Sequence, residues 1–312
     1  MDNDSVNNEM IQRVLLANVQ EQRRARRWGN FWRFSSLAVL LIILGMSFWG
    51  GKGSGSGLPT SRHTALVDLS GVIDSQGSAS AELINESLRH AFENTHAAGV
   101  ILRVNSPGGS PVQSGMVFDE IRRLKSIHKD KPVIAVVEDV AASGGYYIAA
   151  AADSIYVDKA SLIGSIGVRM DSFGFTEAIK KLGIERRVLT AGENKALLDP
   201  FLPVDPKQKA AIQVMLTEIH EQFINAVKMG RGDRLKPSPE IFSGMVWTGA
   251  RSVEIGLTDG MGTVDSVARE VIKAHEVVDY TLQPNFAERL VKRFGASMGE
   301  AMARVMLRWS LY

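Results

Sequence analysis

The chain contains no cysteine among its 312 residues. Thiol catalysis, disulfide bonds and cysteine-bound metals are therefore excluded, and the fold suits any redox compartment. The six histidines form no closely spaced pair on one predicted helix face, so we expect no histidine-built metal site. The formal net charge is only +2, which creates no overall field that would attract nucleic acid. We therefore expect no cofactor, no metal and no nucleic-acid partner.

One long apolar run stands near the N-terminus, at residues 31–49. At about 1.5 Å per residue in a helix, this run nearly matches the hydrocarbon core of a bilayer. Trp28, Trp32 and Trp49 stand at its ends, as interfacial aromatics do, and arginines precede it without following it. This asymmetry predicts a cytoplasmic N-terminus. A cleaved signal peptide is the alternative, but the long leading segment and the lack of a small-x-small cleavage pattern favour an uncleaved anchor.

The composition divides the chain into five segments. Residues 1–30 are expected to form a cytoplasmic segment, residues 31–49 a transmembrane helix and residues 50–62 a flexible glycine- and serine-rich linker. The main folded domain is expected over residues 63–280. Residues 281–312 carry an apolar stripe at helical spacing and predict an amphipathic helix or tail. This last segment is open to four interpretations: packing on its own domain, packing on a neighbouring copy, binding to anionic lipid, or remaining a mobile tail.

The main domain alternates apolar strand-like runs with helical spacing. Strands are predicted at residues 64–73, 99–104, 132–138, 154–157 and 185–190, with helices between them and a long helix from Asp205. This alternation predicts βαβ units and a mostly parallel sheet. Two glycine-rich loops, at residues 106–110 and 142–145, follow the carboxyl ends of predicted strands. They are therefore expected to face the same crevice.

Ser143 stands between a predicted strand and a predicted helix and is followed by Gly144 and Gly145. The glycines permit a sharp turn and a close approach of substrate. Unpaired N–H groups at a helix start favour developing negative charge. These features suit a nucleophile. The alternative is that Ser143 is an ordinary helix N-cap.

A serine nucleophile needs a base, and without histidine nearby a lysine can serve if burial favours its neutral form. Lys195 is the best candidate, because it is the one lysine in a loop of otherwise uncharged or acidic residues. Lys131 and Lys159 are interpreted as ordinary surface lysines. The alternative for Lys195 is a solvated loop residue.

Several motifs, in this order along the chain, resemble those of one known family. They are VNSPGG at residues 104–109, AASGGYYIA at 141–149, GSIGV at 164–168, the loop bearing Lys195, VWTG at 246–249 and GLTDGMG at 256–262. Together they resemble bacterial signal peptide peptidase A of serine peptidase family S49, in its shorter single-domain form. The resemblance extends over about residues 66–272.

The resemblance assigns roles to individual residues. It implies that Ser143 is the nucleophile, Lys195 the general base and Ser165 the hydroxyl that orients the lysine. It also implies an oxyanion hole built from backbone N–H groups at Gly109 or its neighbour Gly108, and at Gly144. No metal or cofactor is implied.

The resemblance also implies a fold and a setting. The fold is expected to be α/β, a crotonase/ClpP-like spiral of β-β-α units preceded by one transmembrane helix. The activity is expected to be degradation of apolar signal peptides on the outer face of the bacterial inner membrane, by a homo-oligomeric ring, such as an octamer, whose adjacent protomers share one site. The alternatives are an S49 peptidase of broader substrate range, a crotonase-type acyl-CoA enzyme and a non-catalytic membrane scaffold.

Overall fold

The computed structural model describes residues 60–236 and 238–283, together with seven helical positions between residues 28 and 38. The chain divides into two units, residues 1–57 and 58–312, and the architecture below belongs to the second. Most of the predicted span at residues 31–49, the linker and the C-terminal amphipathic segment lie outside the described residues. Among the described residues, no helix is both long and apolar enough to cross a membrane.

Eight strands form one sheet. They are β1 (His63–Ser70), β2 (Ala97–Ser106), β3 (Val133–Ala142), β4 (Ser154–Val157), β5 (Leu162–Gly164), β6 (Val246–Thr248), β7 (Gly260–Met261) and β8 (Val277–Asp279). The main path of the sheet is β6-β5-β3-β2-β1-β8, and β4 joins β3 to β7. All pairings are parallel except that of β5 with β6. The predicted α/β class and mostly parallel sheet are confirmed.

The helices cover the sheet and connect its strands. They are α1 (Ala81–Glu93), α2 (Pro111–Ile127), α3 (Gly144–Ala149), α4 (Thr176–Lys181), α5 (Pro206–Arg231), α6 (Gly249–Glu254) and α7 (Val264–Ser266), which continues as a π-helical stretch over Val267–Ile272. The predicted apolar face of α1 is buried. Asp205 is the N-cap of the long α5, and its side chain accepts from the Lys207 N–H at 2.8 Å. Only the C-terminal third of α5 is buried.

β3 is the central strand, and one of its edges is shared by two partners. Residues 134–136 pair with β4, and residues 140–142 pair with β5. The other edge pairs with β2 up to the match of Ser106 with Ala141. The carboxyl end of β3 is therefore flanked by the carboxyl ends of β2 and β5. This arrangement brings together the loops that follow the three strands.

The interpretation of Lys131 as an ordinary surface lysine needs correction. Its ammonium donates to the carbonyl oxygens of Ala91, Phe92 and Asn94, at 3.3, 2.7 and 2.7 Å. These carbonyls lie at the C-terminal end of α1, where a helix has no internal donors left. Burial lowers the pKa of Lys131. The side chain therefore caps a helix, and its positive charge also suits that helix end.

The predicted strand at residues 185–190 is wrong. These residues are irregular, and Leu189 is fully exposed. A strand is stabilised by pairing and by burial of one face. Residues 185–190 neither pair with the sheet nor fully bury a side chain. The charged residues of this stretch instead form ion pairs, Arg186 with Asp199 and Arg187 with Glu185. We call residues 169–205 the arm, because none of its side chains is fully buried.

Candidate active site

Ser143 lies on the turn between β3 and α3, with a φ of 51° and a ψ of −121°. A positive φ is uncommon for a residue with a side chain and stores about 1–3 kcal/mol of strain. The conformation is fixed by two hydrogen bonds, from the Ser143 N–H to the Gly164 carbonyl at 2.8 Å and from the Tyr147 N–H to the Ser143 carbonyl at 2.9 Å. The Ser143 side chain makes no capping hydrogen bond to α3. Its hydroxyl is therefore not used as a helix cap.

Residues 107–110, which follow Ser106 and which we call the glycine loop, pack directly against Ser143. A Cβ atom on Gly108 would lie 2.7 Å from the Ser143 Cβ and 2.8 Å from the Gly144 nitrogen. A Cβ atom on Gly109 would overlap the carbonyl oxygen of Ile73. Both glycines also have positive φ, 99° and 156°. Only glycine permits this conformation and this close approach of the two loops.

The backbone N–H groups of the glycine loop differ in their partners. The Gly108 N–H donates to Ser106 Oγ at 3.1 Å. Gly109 forms a parallel bridge with Ile73, in which Ile73 bonds to the Gly108 carbonyl and the Ser110 N–H. In such a bridge the N–H of Gly109 itself points away from Ile73. Within the described residues it donates to no acceptor.

The backbone of Gly144 lies close to the Gly109 nitrogen. A Cβ atom on Gly144 would lie 3.3 Å from the Gly109 nitrogen. Gly144 is the first residue of α3, so its N–H has no acceptor within the helix. Backbone N–H groups without an acceptor, close to a serine, are the kind of donors that stabilise an oxyanion.

Ser165 lies beside Ser143, because each directly follows one residue of the Ala142–Gly164 pair. Ser165 also has a φ of 51°, and its N–H donates to the Met245 carbonyl at 2.8 Å. Its side chain is half-buried. The structure therefore brings together Ser143, Ser165, the glycine loop and Gly144.

Lys195 is not brought into this group within one chain. It lies on the arm, its side chain is exposed, and its N–H donates to the Gly192 carbonyl at 3.1 Å. No hydrogen bond or ion pair among residues 60–236 and 238–283 joins its ammonium to Ser143 or Ser165. The same residues contain no group of three or more histidine, aspartate or glutamate side chains placed to hold a metal ion.

Ser106 is a member of this site that the sequence analysis did not single out. It is fully buried, and its hydroxyl contacts both the glycine loop and the residue Gly71. Its signal in the sequence was its place inside the VNSPGG motif. The pairing with Gly71 could not be read from the sequence, because the two residues are far apart along the chain.

The sequence profile of peptidase family S49 matches residues 125–278. This span includes Ser143, Ser165 and Lys195. Over these residues, close to half of the chain, the sequence matches peptidase family S49. The profile begins within α2, so the glycine loop lies before the matched span, although the structure packs it against Ser143.

Two curated proteins that are similar to this chain are named as peptidases. A protein of Methanocaldococcus jannaschii named as a protease is 34% identical over 192 residues, which cover 60% of this chain and 61% of that protein. A protein of Enterococcus faecium named after signal peptide peptidase SppA is 29% identical over 195 residues, covering 62% of this chain and 56% of that protein.

A third relative has a different kind of name. A Brucella melitensis protein named Na(+)/H(+) antiporter NhaA is 48% identical over 183 residues, which cover 59% of this chain but 25% of that protein. The chain thus spans between a quarter and about three fifths of the length of these relatives. Because only a quarter of the Brucella protein is matched, its name says nothing about the activity of this chain.

Proposed function

We propose that the chain is a serine endopeptidase that uses Ser143 as nucleophile and Lys195 as general base. The observation that carries the proposal is the packing of Ser143 against the glycine loop, close to the backbone of Gly109 and Gly144, whose N–H groups have no acceptor among the described residues. Neutral Lys195 would take the proton from Ser143 Oγ as this oxygen attacks the peptide carbonyl. The two N–H groups would stabilise the oxyanion, at about 2.7–4 kcal/mol for a donor.

The later steps reuse the same groups. Lys195 would return the proton to the leaving amine and then activate the water that releases the acyl-enzyme. Ser165 is proposed to orient the lysine by a hydrogen bond. Of the two glycines expected to supply the loop donor, Gly109 is favoured, because the Gly108 N–H is already bonded to Ser106 Oγ.

Lys195 is proposed to reach the site of a neighbouring copy. This is supported by its exposed position and by the exposed apolar side chains along the arm, among them Phe173, Phe175, Leu182, Ile184, Leu189 and Val204. Large apolar side chains clustered on a surface commonly mark an interface. A head-to-tail ring, such as the octamer expected from the resemblance, would repeat this contact at each junction.

The proposed substrates are apolar signal peptides left in the membrane. Support comes from the relative named after signal peptide peptidase and from the apolar run at residues 31–49, which would anchor the catalytic domain on the outer face of the inner membrane. The fold is proposed to be the crotonase/ClpP-like spiral of β-β-α units. This is supported by the way β4 and β5 share one edge of β3.

Labelling with a fluorophosphonate, a reagent that reacts with activated serines, tests the proposal. We expect mass spectrometry of the full chain in detergent to find the adduct on Ser143. Labelling of the Lys195→Ala variant should be at least about 100-fold slower, because the general base is missing. Lys159→Ala, which removes another exposed lysine, should label at the wild-type rate. An adduct absent from Ser143, or equal rates in the two lysine variants, would refute the dyad.

Mixing two inactive variants tests the shared site. Chains with Ser143→Ala and chains with Lys195→Ala are co-expressed, purified together and assayed on a fluorogenic apolar peptide. In a head-to-tail ring with random order, about a quarter of junctions would combine an intact serine with an intact lysine from the next chain. The mixture should therefore recover about a quarter of wild-type activity. A mixture as inactive as its components would show that each site is built within one chain.

A further inference from the structure

The hydroxyl of Ser106 joins the glycine loop to a second segment, residues 71–73, which we call the strap. Ser106 Oγ donates to the Gly71 carbonyl at 2.6 Å and accepts from the Gly108 N–H at 3.1 Å. The side chain is fully buried at the end of β2. Both hydrogen-bonding functions of the hydroxyl are therefore satisfied by backbone groups.

Three further bonds between the strap and the region of the glycine loop are backbone to backbone. They run from the Gly71 N–H to the Asn105 carbonyl at 3.0 Å, from the Ile73 N–H to the Gly108 carbonyl at 3.0 Å, and from the Ser110 N–H to the Ile73 carbonyl at 2.8 Å. Among these bonds between the strap and the region of the glycine loop, the bonds of Ser106 are the ones made by a side chain. It also lies under α3, since a Cβ atom on Gly145 would stand 2.7 Å from the Ser106 carbonyl oxygen.

The glycine loop needs such a constraint more than most loops do. Gly108 and Gly109 have no side chains that could pack and hold their peptide planes, and glycine permits many backbone conformations. A small rotation of the peptide plane between Gly108 and Gly109 would change the direction of the Gly109 N–H. Oxyanion stabilisation depends on donors that are already aimed before the reaction begins.

We propose that Ser106 is a positioning residue for the oxyanion hole. By holding the Gly108 N–H, its hydroxyl fixes the peptide plane on one side of Gly108, so that the next N–H, that of Gly109, stays directed at the developing oxyanion. The proposal rests on the peptidase function proposed above. Ser106 itself does not touch the substrate and acts through Gly108 and Gly109.

Ser106→Ala in the full chain, assayed on the fluorogenic apolar peptide, tests the proposal. The donor acts mainly in the transition state, so kcat should fall by about 10- to 100-fold with KM changed less than about twofold. Ser87→Ala is the matched control. Ser87 is also fully buried, donates to the Leu83 carbonyl at 2.7 Å and accepts from the Leu282 N–H at 2.9 Å. This control should keep wild-type kcat and KM.

Inhibitor binding separates positioning from general loosening of the fold. A peptide aldehyde forms a tetrahedral adduct with an oxyanion, whereas the corresponding peptide alcohol does not. Ser106→Ala should weaken aldehyde binding by the same factor as kcat and leave alcohol binding unchanged. Should Ser106→Ala not fold, Ser106→Cys, which keeps the shape but has a weaker donor, should show the same selective loss.

Two results would overturn the proposal: wild-type kcat and aldehyde affinity in the Ser106 variants, or equal losses for aldehyde and alcohol. Either could occur while the wild-type chain still cleaves peptides and labels at Ser143. The peptidase function would then stand and the role of Ser106 would not. A wild-type chain that neither cleaves nor labels would instead refute the proposed function.

Discussion

Replacing Ser143 with alanine is expected to lower the turnover of an apolar peptide by about 10⁶-fold, as loss of the nucleophile does in other serine peptidases. The hydroxyl is the atom that forms the acyl-enzyme, and no cysteine is present in the chain to replace it. The measurement is kcat on the fluorogenic peptide, with circular dichroism to show that the variant is folded. A variant that keeps more than about 1% of wild-type turnover would contradict the assignment of Ser143.

Ser143→Gly is the informative companion of this variant. It should be equally inactive, but the φ of 51° that strains serine or alanine is unstrained for glycine. We expect the glycine variant to be more stable than the alanine variant by about 1 kcal/mol, after the larger backbone entropy of glycine is subtracted. In thermal unfolding this is a rise in Tm of about 2–4 °C for a domain of this size. A lower Tm for the glycine variant would mean that the turn is not strained.

Arg231→Ala is expected to lower the free energy of unfolding by about 3–5 kcal/mol. Arg231 is buried on α5 and holds Asp259 through two bonds, at 2.7 and 2.9 Å. Its third nitrogen donates to the Gly256 carbonyl at 3.0 Å. Removing the guanidinium would leave a partly buried carboxylate without its main partner. The effect should reach the active site, because the Tyr146 hydroxyl on α3 donates to the Leu257 carbonyl at 2.7 Å.

Arg251→Ala is the matched control for this prediction. Arg251 forms a 2.6 Å ion pair with Glu254, and both side chains are exposed. Its loss should change the free energy of unfolding by less than about 1 kcal/mol. Denaturant unfolding of both variants at one protein concentration compares them. If the two substitutions lowered the free energy of unfolding equally, the larger effect expected for the buried arginine would be contradicted.

The stability that the Arg231–Asp259 pair contributes should also depend on pH. Burial alone would raise the pKa of Asp259, but hydrogen bonds from Arg231 and from the Ile155 N–H outweigh it and hold the pKa below its usual range. A lowered carboxyl pKa stabilises the fold above the unfolded-state pKa, about 3.9, and this contribution is lost as the pH falls through the folded-state pKa. The stability gap between wild type and Arg231→Ala should therefore narrow in acid.

The sequence predicted the structural elements that are specified by residues close together along the chain. The apolar runs that form β1 to β4, the helical face of α1 and the turn at Ser143 are all encoded within a dozen residues. The strand predicted at residues 185–190 failed because sheet pairing and burial of one face depend on the rest of the fold, and these residues have neither. The capping role of Lys131 depends on contacts with Ala91, Phe92 and Asn94, 37–40 residues earlier in the chain.

The candidate site also contains residues that the sequence indicated and features that only the structure shows. Ser143 was singled out from its local turn and Ser165 only through the resemblance, and the structure places the two residues side by side through the pairing of β3 with β5. The preference for Gly109 over Gly108 required the bond from the Gly108 N–H to Ser106 Oγ and the bridge of Gly109 with Ile73, which only the structure shows. The position of Lys195 relative to Ser143 depends on the arm, which no local pattern specifies.

The exposed arm has a consequence for the timing of activity. A chain whose base cannot reach its own serine would be inert as a single copy, and it would become active only after meeting other copies. Assembly would then serve the purpose that an inhibitory propeptide serves in many secreted proteases. Local abundance of the chain, rather than a cleavage event, would decide when proteolysis begins.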